Sequence, residues 1–138
     1  YSVMKRIRKA CSSDFETIVQ LLQQLSAYEP VDEVEWFGDA SNQGYVVEHD
    51  SKIIGFLSWH QIKKIRGGSV FIIEDVIVDQ SYRGCGVGRM MISHAIQDIN
   101  KHRNVYKIIL ESSEIGEDLY KSCGFQKSKN TLYKLMVE

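Results

Sequence analysis

The chain has 138 residues, of which 43% are hydrophobic and 25% charged, a composition that suits one domain with a continuous core. Its 17 Lys and Arg are balanced by 18 Asp and Glu, so the net charge is −1. That balance argues against a general electrostatic attraction to nucleic acid or to an anionic membrane. We therefore predict a single domain over residues 1–138 that binds neither.

The cysteines and histidines are scattered along the sequence. Cys11, Cys85 and Cys123 form no C-x-x-C pair, so we expect reduced thiols and a cytoplasmic protein. The four histidines form no close pair and none stands beside a cysteine at ligand spacing, so we predict no metal site and surface or strand-edge histidines. No apolar run approaches the roughly 20 residues that cross a bilayer, and the first residues lack a signal-peptide pattern.

The first 40 residues predict a strand followed by a helix. Residues 3–10 have β character, and Ser13 and Glu16 have the spacing of a capping box, which predicts that a helix begins there. The helix has one apolar stripe at three- and four-residue steps and should end near Tyr28. We interpret residues 31–40, which are short and polar, as a variable lid.

Further along the chain, three β-rich runs precede a helix. Runs 45–48 and 52–60 flank a polar turn, which predicts an antiparallel hairpin. Gly67-Gly68 allows another reversal into a long run at 70–78. An acidic pair lies in the middle of this third run, and acidic residues inside a strand call for a specific reason.

The last 50 residues contain two helical segments around a strand. Residues 87–100 have helical periodicity and 107–110 return to β character, so strand, helix and strand favour a parallel crossover. Residues 117–123 predict a short helix that ends at Gly124, and a final strand pair is expected from residue 125 onward. The fold class is therefore α+β (mixed α/β) around one central sheet.

The clearest functional signal is the segment Arg83-Gly84-Cys85-Gly86-Val87-Gly88, placed directly after a strand and before a helix. Glycines let the backbone approach a ligand, and a helix N-terminus offers N–H groups and a positive dipole to a phosphate. No Gly-Lys-Ser/Thr follows, and the spacing is not G-x-G-x-x-G, so neither a Walker loop nor a dinucleotide fingerprint is present. A purely structural turn is the alternative.

This segment resembles the acetyl-CoA motif Q/R-x-x-G-x-G/A of the GNAT N-acetyltransferase superfamily, and residues 119–125 resemble that family's Y-x-x-x-G-F segment. Within the superfamily, residues 73–84 and 105–111 are most similar to the eukaryotic-type glucosamine 6-phosphate N-acetyltransferases. The resemblance implies a GNAT-type central, mostly antiparallel twisted sheet with one parallel strand pair and about four flanking helices. It also implies acetyl-CoA as the acetyl donor, with no metal.

The resemblance assigns roles to individual residues. It implies Tyr120 as the acid that protonates the leaving thiolate. Glu74, Asp75 and Glu111 are the candidate carboxylates that receive the ammonium group and its proton, and Glu111, at the family's acidic position, is favoured for orienting the amine. The implied cofactor-binding residues are Val76, Ile77, Val78, Arg83, Gly84, Cys85, Gly86, Val87, Gly88 and Arg89. The implied substrate-binding residues are Glu74, Asp75, Tyr106, Lys107, Lys63 and Lys64, in a site that the family shares across a homodimer.

The acceptor is left open by the sequence. Glucosamine 6-phosphate is the first choice, giving N-acetylglucosamine 6-phosphate, and another small amine, a polyamine or a protein amine is the alternative. A non-catalytic acetyl-CoA sensor is a further alternative. The family usually has an Asn four residues before the tyrosine, where this chain has Gly116.

Overall fold

The computed structural model describes residues 4–25, 29–113 and 116–137. These residues form one five-stranded sheet in the order β1-β2-β3-β4-β5. The strands are β1 (Arg6–Lys9), β2 (Asn42–His49), β3 (Lys52–Lys63), β4 (Ser69–Val78) and β5 (Val105–Leu110), and the helices are α1 (Phe15–Leu22), α2 (Glu33–Phe37), α3 (Val87–Ile99) and α4 (Glu117–Ser122). Neighbouring strands are antiparallel except β4 and β5, which are parallel. The predicted fold class, with its one parallel pair, is confirmed.

The sheet is covered on both faces, because alternate residues of a strand point to opposite sides. Leu57 faces α3, where it joins Met91 and Ile92 in the larger buried cluster. Phe56, its neighbour along β3, faces α1 and packs with Ile18 in the smaller cluster. The site described below lies on the side of the sheet that faces α1 and along the divergence of β4 and β5.

The start of α1 differs from the predicted capping box. The box that forms lies two residues earlier, at a 3-10 turn over Ser12–Asp14 that leads into α1. The Asp14 carboxylate accepts hydrogen bonds from the backbone N–H of Cys11 at 2.9 Å and from its Sγ at 3.4 Å. Arg8 of β1 holds the same carboxylate through two hydrogen bonds of 2.8 Å. Asp14 is buried, and its hydrogen bonds to Arg8 connect the cap to β1. Ser13 and Glu16 are both exposed and could not form such contacts. α1 ends at Leu22, earlier than the predicted end near Tyr28, a residue that itself lies outside the described residues.

The predicted lid at residues 31–40 contains a helix. α2 begins at an Asp32 N-cap whose side chain accepts from the backbone N–H groups of Val34 and Glu35 at 2.8 and 3.1 Å. Its aromatic end packs on α1, since the Phe37 ring lies 6.4 Å from the Phe15 ring between centroids. The Asp32 cap and the packing of Trp36 and Phe37 stabilise this helix, although the segment is short and polar.

The final strand pair expected from residue 125 onward does not form. Residues 125–137 contain no strand, and β5 is the last strand of the sheet. Because a strand needs a hydrogen-bonding edge, β propensity alone does not make one. Large apolar side chains of this tail are consequently exposed, at 67 to 90%: Leu132, Tyr133, Leu135, Met136 and Val137.

The remaining predicted elements form close to their expected bounds. The hairpin turn at Asp50 and Ser51 has positive φ angles of 54° and 63°, and the parallel crossover through α3 is present. In the part of the chain that the structure describes, no helix has the length and apolarity to cross a membrane. The three cysteines are free.

Candidate active site

β4 and β5 separate halfway along the sheet. Their register runs from Ser69 opposite Val105 to Ile73 opposite Leu110 and then stops, whereas β4 continues to Val78 with β3 still paired on its other side. Residues 74–78 therefore present an edge that is free of β5. An open edge of this kind can pair with the amides of an extended, peptide-like ligand as an added strand.

A β-bulge explains the acidic pair in the middle of β4. Asp75 pairs with Ser58 and Ile73 pairs with Trp59, so Glu74 is the extra residue on its strand. A bulge bends the strand and redirects side chains. Both carboxylates consequently line one cavity, on the side of the sheet that faces α1.

That cavity has a volume of about 510 Å³ and two chemically different ends. Its polar end contains Glu74, Asp75, Ser58 and His60. Ser58 Oγ donates to Asp75 at 3.3 Å, and burial raises the pKa of the Asp75 carboxyl. The rest of the wall is mainly apolar, and its larger side chains are Phe15, Ile18, Leu22, Trp36, Phe37 and Phe56. The described lining contains no Lys or Arg.

The glycine loop follows β4 at the open end of this gap. Gly84 and Gly86 have φ angles of 79° and 81°, which side chains with a Cβ adopt at a cost. A Cβ built at either position meets no atom within 4 Å, so the space in front of the loop is available to a ligand. α3 begins at Val87, and the N–H groups of its first turn have no partner within the helix. A phosphate suits this place.

Two arginines tie the loop to its surroundings. Arg83 Nε donates to the carbonyl oxygen of Val78 at 3.4 Å, and Arg89 Nη2 donates to the carbonyl oxygen of Ser122 in α4 at 3.3 Å. Both side chains are exposed. Two cations therefore flank the loop on opposite sides, which favours a ligand with more than one phosphate charge.

Sequence and structure comparisons agree with this geometry. The model of the acetyltransferase (GNAT) family matches residues 5–125. The chain belongs to the GNAT acetyltransferase family. It is 35% identical over 124 residues to a glucosamine 6-phosphate N-acetyltransferase of Trypanosoma brucei brucei, an alignment that covers 83% of this chain and 84% of that protein.

Solved structures of GNAT enzymes share the fold over nearly the whole chain. The glucosamine-6-phosphate N-acetyltransferase of Arabidopsis thaliana has a TM-score of 0.84 at 25% identity, covering 97% of this chain and 99% of its own. An aminoglycoside N-acetyltransferase solved in complex with CoA has a TM-score of 0.83 at 19% identity, covering 99% of this chain and 97% of its own. Enzymes of this fold use acetyl-CoA as donor, and the gap and glycine loop of this acetyltransferase fit that ligand.

Tyr120 lies on α4, across the gap from β4. It is half-buried, and burial together with the neighbouring Cys123 raises the pKa of its phenol. A Cβ built at Gly116 would lie 3.0 Å from Tyr120 Cε2 and 2.9 Å from Ser112 Oγ. The glycine therefore lets the tyrosine ring pack against the start of α4, and an Asn in its place would have to displace that ring.

The remaining predicted site residues do not all come together in one chain. Glu111 follows the end of β5, level with the bulge, and is exposed. Lys63 pairs with Ser69, and Lys107 pairs with Val70, at the start of β4. The Lys107 ammonium lies 5.3 Å from the ring centroid of Tyr106. Lys63, Lys64, Tyr106 and Lys107 all lie at this end of the sheet, and we refer to them as the basic group.

The distance along β4 between the basic group and the open edge bears on whether both can act in one site of the same subunit. Val70 and Val76 are separated by six residues of extended strand, which is roughly 20 Å. The backbone of the basic group is therefore that far from the part of the open edge at Val76 to Val78.

Sequence reasoning missed two features of the site, His60 and the apolar cavity. His60 was interpreted as a surface or edge residue, but it shares a face of β3 with Phe56 and Ser58 and lines the cavity. Alternate residues of a strand share a face, so the sequence could have placed His60 on the same side as Ser58. The acidic pair on the next strand was the sign that this side is polar and functional. The cavity depends on α2, which composition did not predict.

Proposed function

We propose that this acetyltransferase transfers the acetyl group of acetyl-CoA to the amine of glucosamine 6-phosphate. The observation that supports the proposal best is the free edge of β4 beside a glycine loop at a helix N-terminus. The 35% identity to an enzyme with that activity gives the first choice of acceptor. The donor supplies an activated thioester; the residues of this chain bind, orient and exchange protons.

Each part of the gap has a task in this proposal. The backbone of Val76, Ile77 and Val78 would pair with the amides of the donor's extended arm. The loop from Arg83 to Arg89 would hold its pyrophosphate. A backbone N–H near Val76 would stabilise negative charge on the carbonyl oxygen, a contribution typically worth about a hundredfold or more in rate. The Tyr120 phenol would donate its proton to the departing thiolate, since a phenol has an ordinary pKa of about 10 and carries its proton at neutral pH.

The carboxylates at the polar end of the cavity would receive the amine. Glu74 and Asp75 line the cavity directly, and Glu111 lies across the gap at the end of β5. A carboxylate attracts an ammonium group and orients it toward the thioester. The basic group of Lys63, Lys64, Tyr106 and Lys107 would bind the phosphate.

We propose that a homodimer supplies both parts of the site. Because the basic group lies roughly 20 Å from the acetyl position of its own chain, it would act on the phosphate bound to a partner subunit. The exposed apolar tail at 125–137 supports association, since Leu135 and Val137 are each 87% exposed and a second copy would cover them. The three free thiols favour a cytoplasmic protein.

A panel of acceptors tests the proposal. Purified protein is given acetyl-CoA and either glucosamine 6-phosphate or glucosamine, and the release of free CoA is followed. We expect kcat/KM at least tenfold higher with the phosphate, because charge-assisted contacts to phosphate are among the stronger polar interactions. Equal kcat/KM for the two sugars would refute the sugar-phosphate assignment.

The cavity supports a second candidate acceptor, an amine with an apolar body. Aromatic and aliphatic side chains form most of the wall, its polar end carries two carboxylates, and its described lining has no Lys or Arg. Phenylethylamine in the same panel tests this candidate. A kcat/KM above that of glucosamine 6-phosphate would favour it, whereas the sensor alternative predicts acetyl-CoA binding without turnover of any amine.

A further inference from the structure

The side chain of Asn42 fixes the orientation of His60. Asn42 Nδ2 donates to the carbonyl oxygen of Trp36 at 3.2 Å, which identifies the nitrogen of this amide. Asn42 Oδ1 therefore faces His60, at 2.6 Å from Nδ1. Because an amide oxygen only accepts hydrogen bonds, Nδ1 must carry the hydrogen.

The other ring nitrogen is consequently a free base in neutral His60. An imidazole that carries hydrogen on Nδ1 has a lone pair on Nε2. His60 Nε2 lies 3.8 Å from Glu74 Oε1, at the polar end of the cavity. The side chains of His60 and Glu74 are 35% and 50% exposed, so an incoming ligand can reach both. Two acceptors that face each other at this distance suit a cationic N–H donor.

We propose that His60 Nε2 is the base that removes a proton from the acceptor's ammonium group. The N–H bond of the ammonium breaks and an Nε2–H bond forms, which leaves the amine nitrogen with a lone pair. That lone pair attacks the acetyl carbon, the carbon–sulfur bond breaks, and the thiolate takes a proton from Tyr120. The nitrogen then loses its second proton, which returns to the Tyr120 oxygen directly or through water, so that a neutral amide and a neutral phenol remain. Glu74 then faces an imidazolium, and His60 returns its proton to solvent. This inference depends on the proposed acetylation of an amine but not on which amine is the acceptor.

The charged groups around His60 are carboxylates. Glu74 of β4 lies beside Nε2, and Asp75 of the same strand and Asp39 of the α2–β2 connection interact electrostatically with the ring. All three are carboxylates, and the described cavity lining contains no Lys or Arg to oppose them. A base works only when it is unprotonated, so the proposal expects an acidic limb in the pH profile, that is, a fall of kcat/KM at low pH that depends on the presence of His60.

The first test compares His60→Gln with His94→Gln, a control on the opposite face of the sheet where the His94 ring packs against Tyr45. We expect His60→Gln to lower kcat/KM at pH 7 by about a hundredfold or more and to abolish the acidic limb of its pH profile. His94→Gln should keep that limb. Added imidazole should partly restore His60→Ala. An unchanged acidic limb in His60→Gln, or no rescue of His60→Ala, would overturn the proposal.

A second test uses the positioning residue and needs no substrate. Nitrogen-15 NMR of the free protein should show the Nδ1–H tautomer of His60, and Asn42→Ala should lose that preference. Asn42→Asp should move the acidic limb of kcat/KM to higher pH, because a carboxylate beside Nδ1 stabilises the imidazolium. The Nε2–H tautomer in the parent protein would contradict the inference. If glucosamine 6-phosphate is not acetylated but another amine is, the acceptor assignment fails and these tests still apply with that amine.

Discussion

The ring of Tyr120 packs edge-on against Phe125, with centroids 6.2 Å apart and planes at 72°. Phe125 follows the turn at Gly124, whose φ of 98° lets the chain reverse after α4. This contact holds the phenol on the β5 side of the gap, where burial raises its pKa.

Tyr120→Phe should lower kcat and leave the affinity for acetyl-CoA nearly unchanged, because the substitution removes only the transferable proton. We expect a loss of about ten- to a hundredfold at neutral pH. Stopped-flow rates measure the chemical step apart from product release, and thermal unfolding checks that the Phe125 contact is kept. An unaltered chemical rate would identify Tyr120 as a packing residue.

Gly86→Asp should abolish tight binding of CoA, because it adds a negative charge and a side chain in front of the loop. Gly67→Asp is the matched control: Gly67 has a φ of 87°, and a Cβ there also meets no atom within 4 Å. Both variants therefore bear similar backbone strain, on the order of 1–2 kcal/mol. Calorimetry with CoA should show loss of binding in Gly86→Asp alone. Equal affinities would exclude the loop as the pyrophosphate site.

Mixing of two inactive chains tests whether the phosphate site is shared. Lys107→Ala lacks the proposed phosphate contact, and Gly86→Asp lacks the donor site. In a mixed dimer with two-fold symmetry, one of the two sites combines an intact donor site with an intact Lys107 from the other chain. At equal mixing about half of the dimers are mixed, so about a quarter of all sites should recover. Recovered kcat/KM for glucosamine 6-phosphate is the measurement. No recovery in dimers shown to have mixed would mean that Lys107 serves its own chain.

Asp14 should make the folded state sensitive to acid. The Arg8 guanidinium lowers the pKa of this carboxyl from 3.8 to about 2, so its stabilising effect is complete above the ordinary value and is lost as pH falls from about 4 toward 2. Asp14→Asn should therefore cost about 2 kcal/mol at pH 7 and much less at pH 2. Urea titrations across this range measure the difference. Asp50→Asn, the same substitution in an exposed turn, is the matched control.

Local patterns predicted most of the fold, because hairpins, the glycine reversal and the amphipathic α3 depend on neighbouring residues. The glycine loop was recognisable for the same reason, as its chemistry is contained in six consecutive letters. The tail at 125–137 was mispredicted, since pairing depends on a partner edge that its composition cannot reveal. Glu74 was predicted as a site residue, but its position beside His60 depends on the bulge and on the β3–β4 register, which the sequence does not reveal. The distance of Lys107 from Val76 likewise depends on the parallel register with β5.

The early end of the β4–β5 register also bears on how the domain comes apart. Only the first half of β4 joins β5 to the rest of the sheet, with Ile73 and Leu110 as the last pair. A ligand bound along Val76 to Val78 would contact β4 on one side of the gap and α4 on the other. Acetyl-CoA should therefore slow hydrogen exchange in the amides of β5 and α4 as well as in the glycine loop. We expect β5 and α4 to open separately from the rest of the sheet without the ligand, and together with it when the ligand is bound.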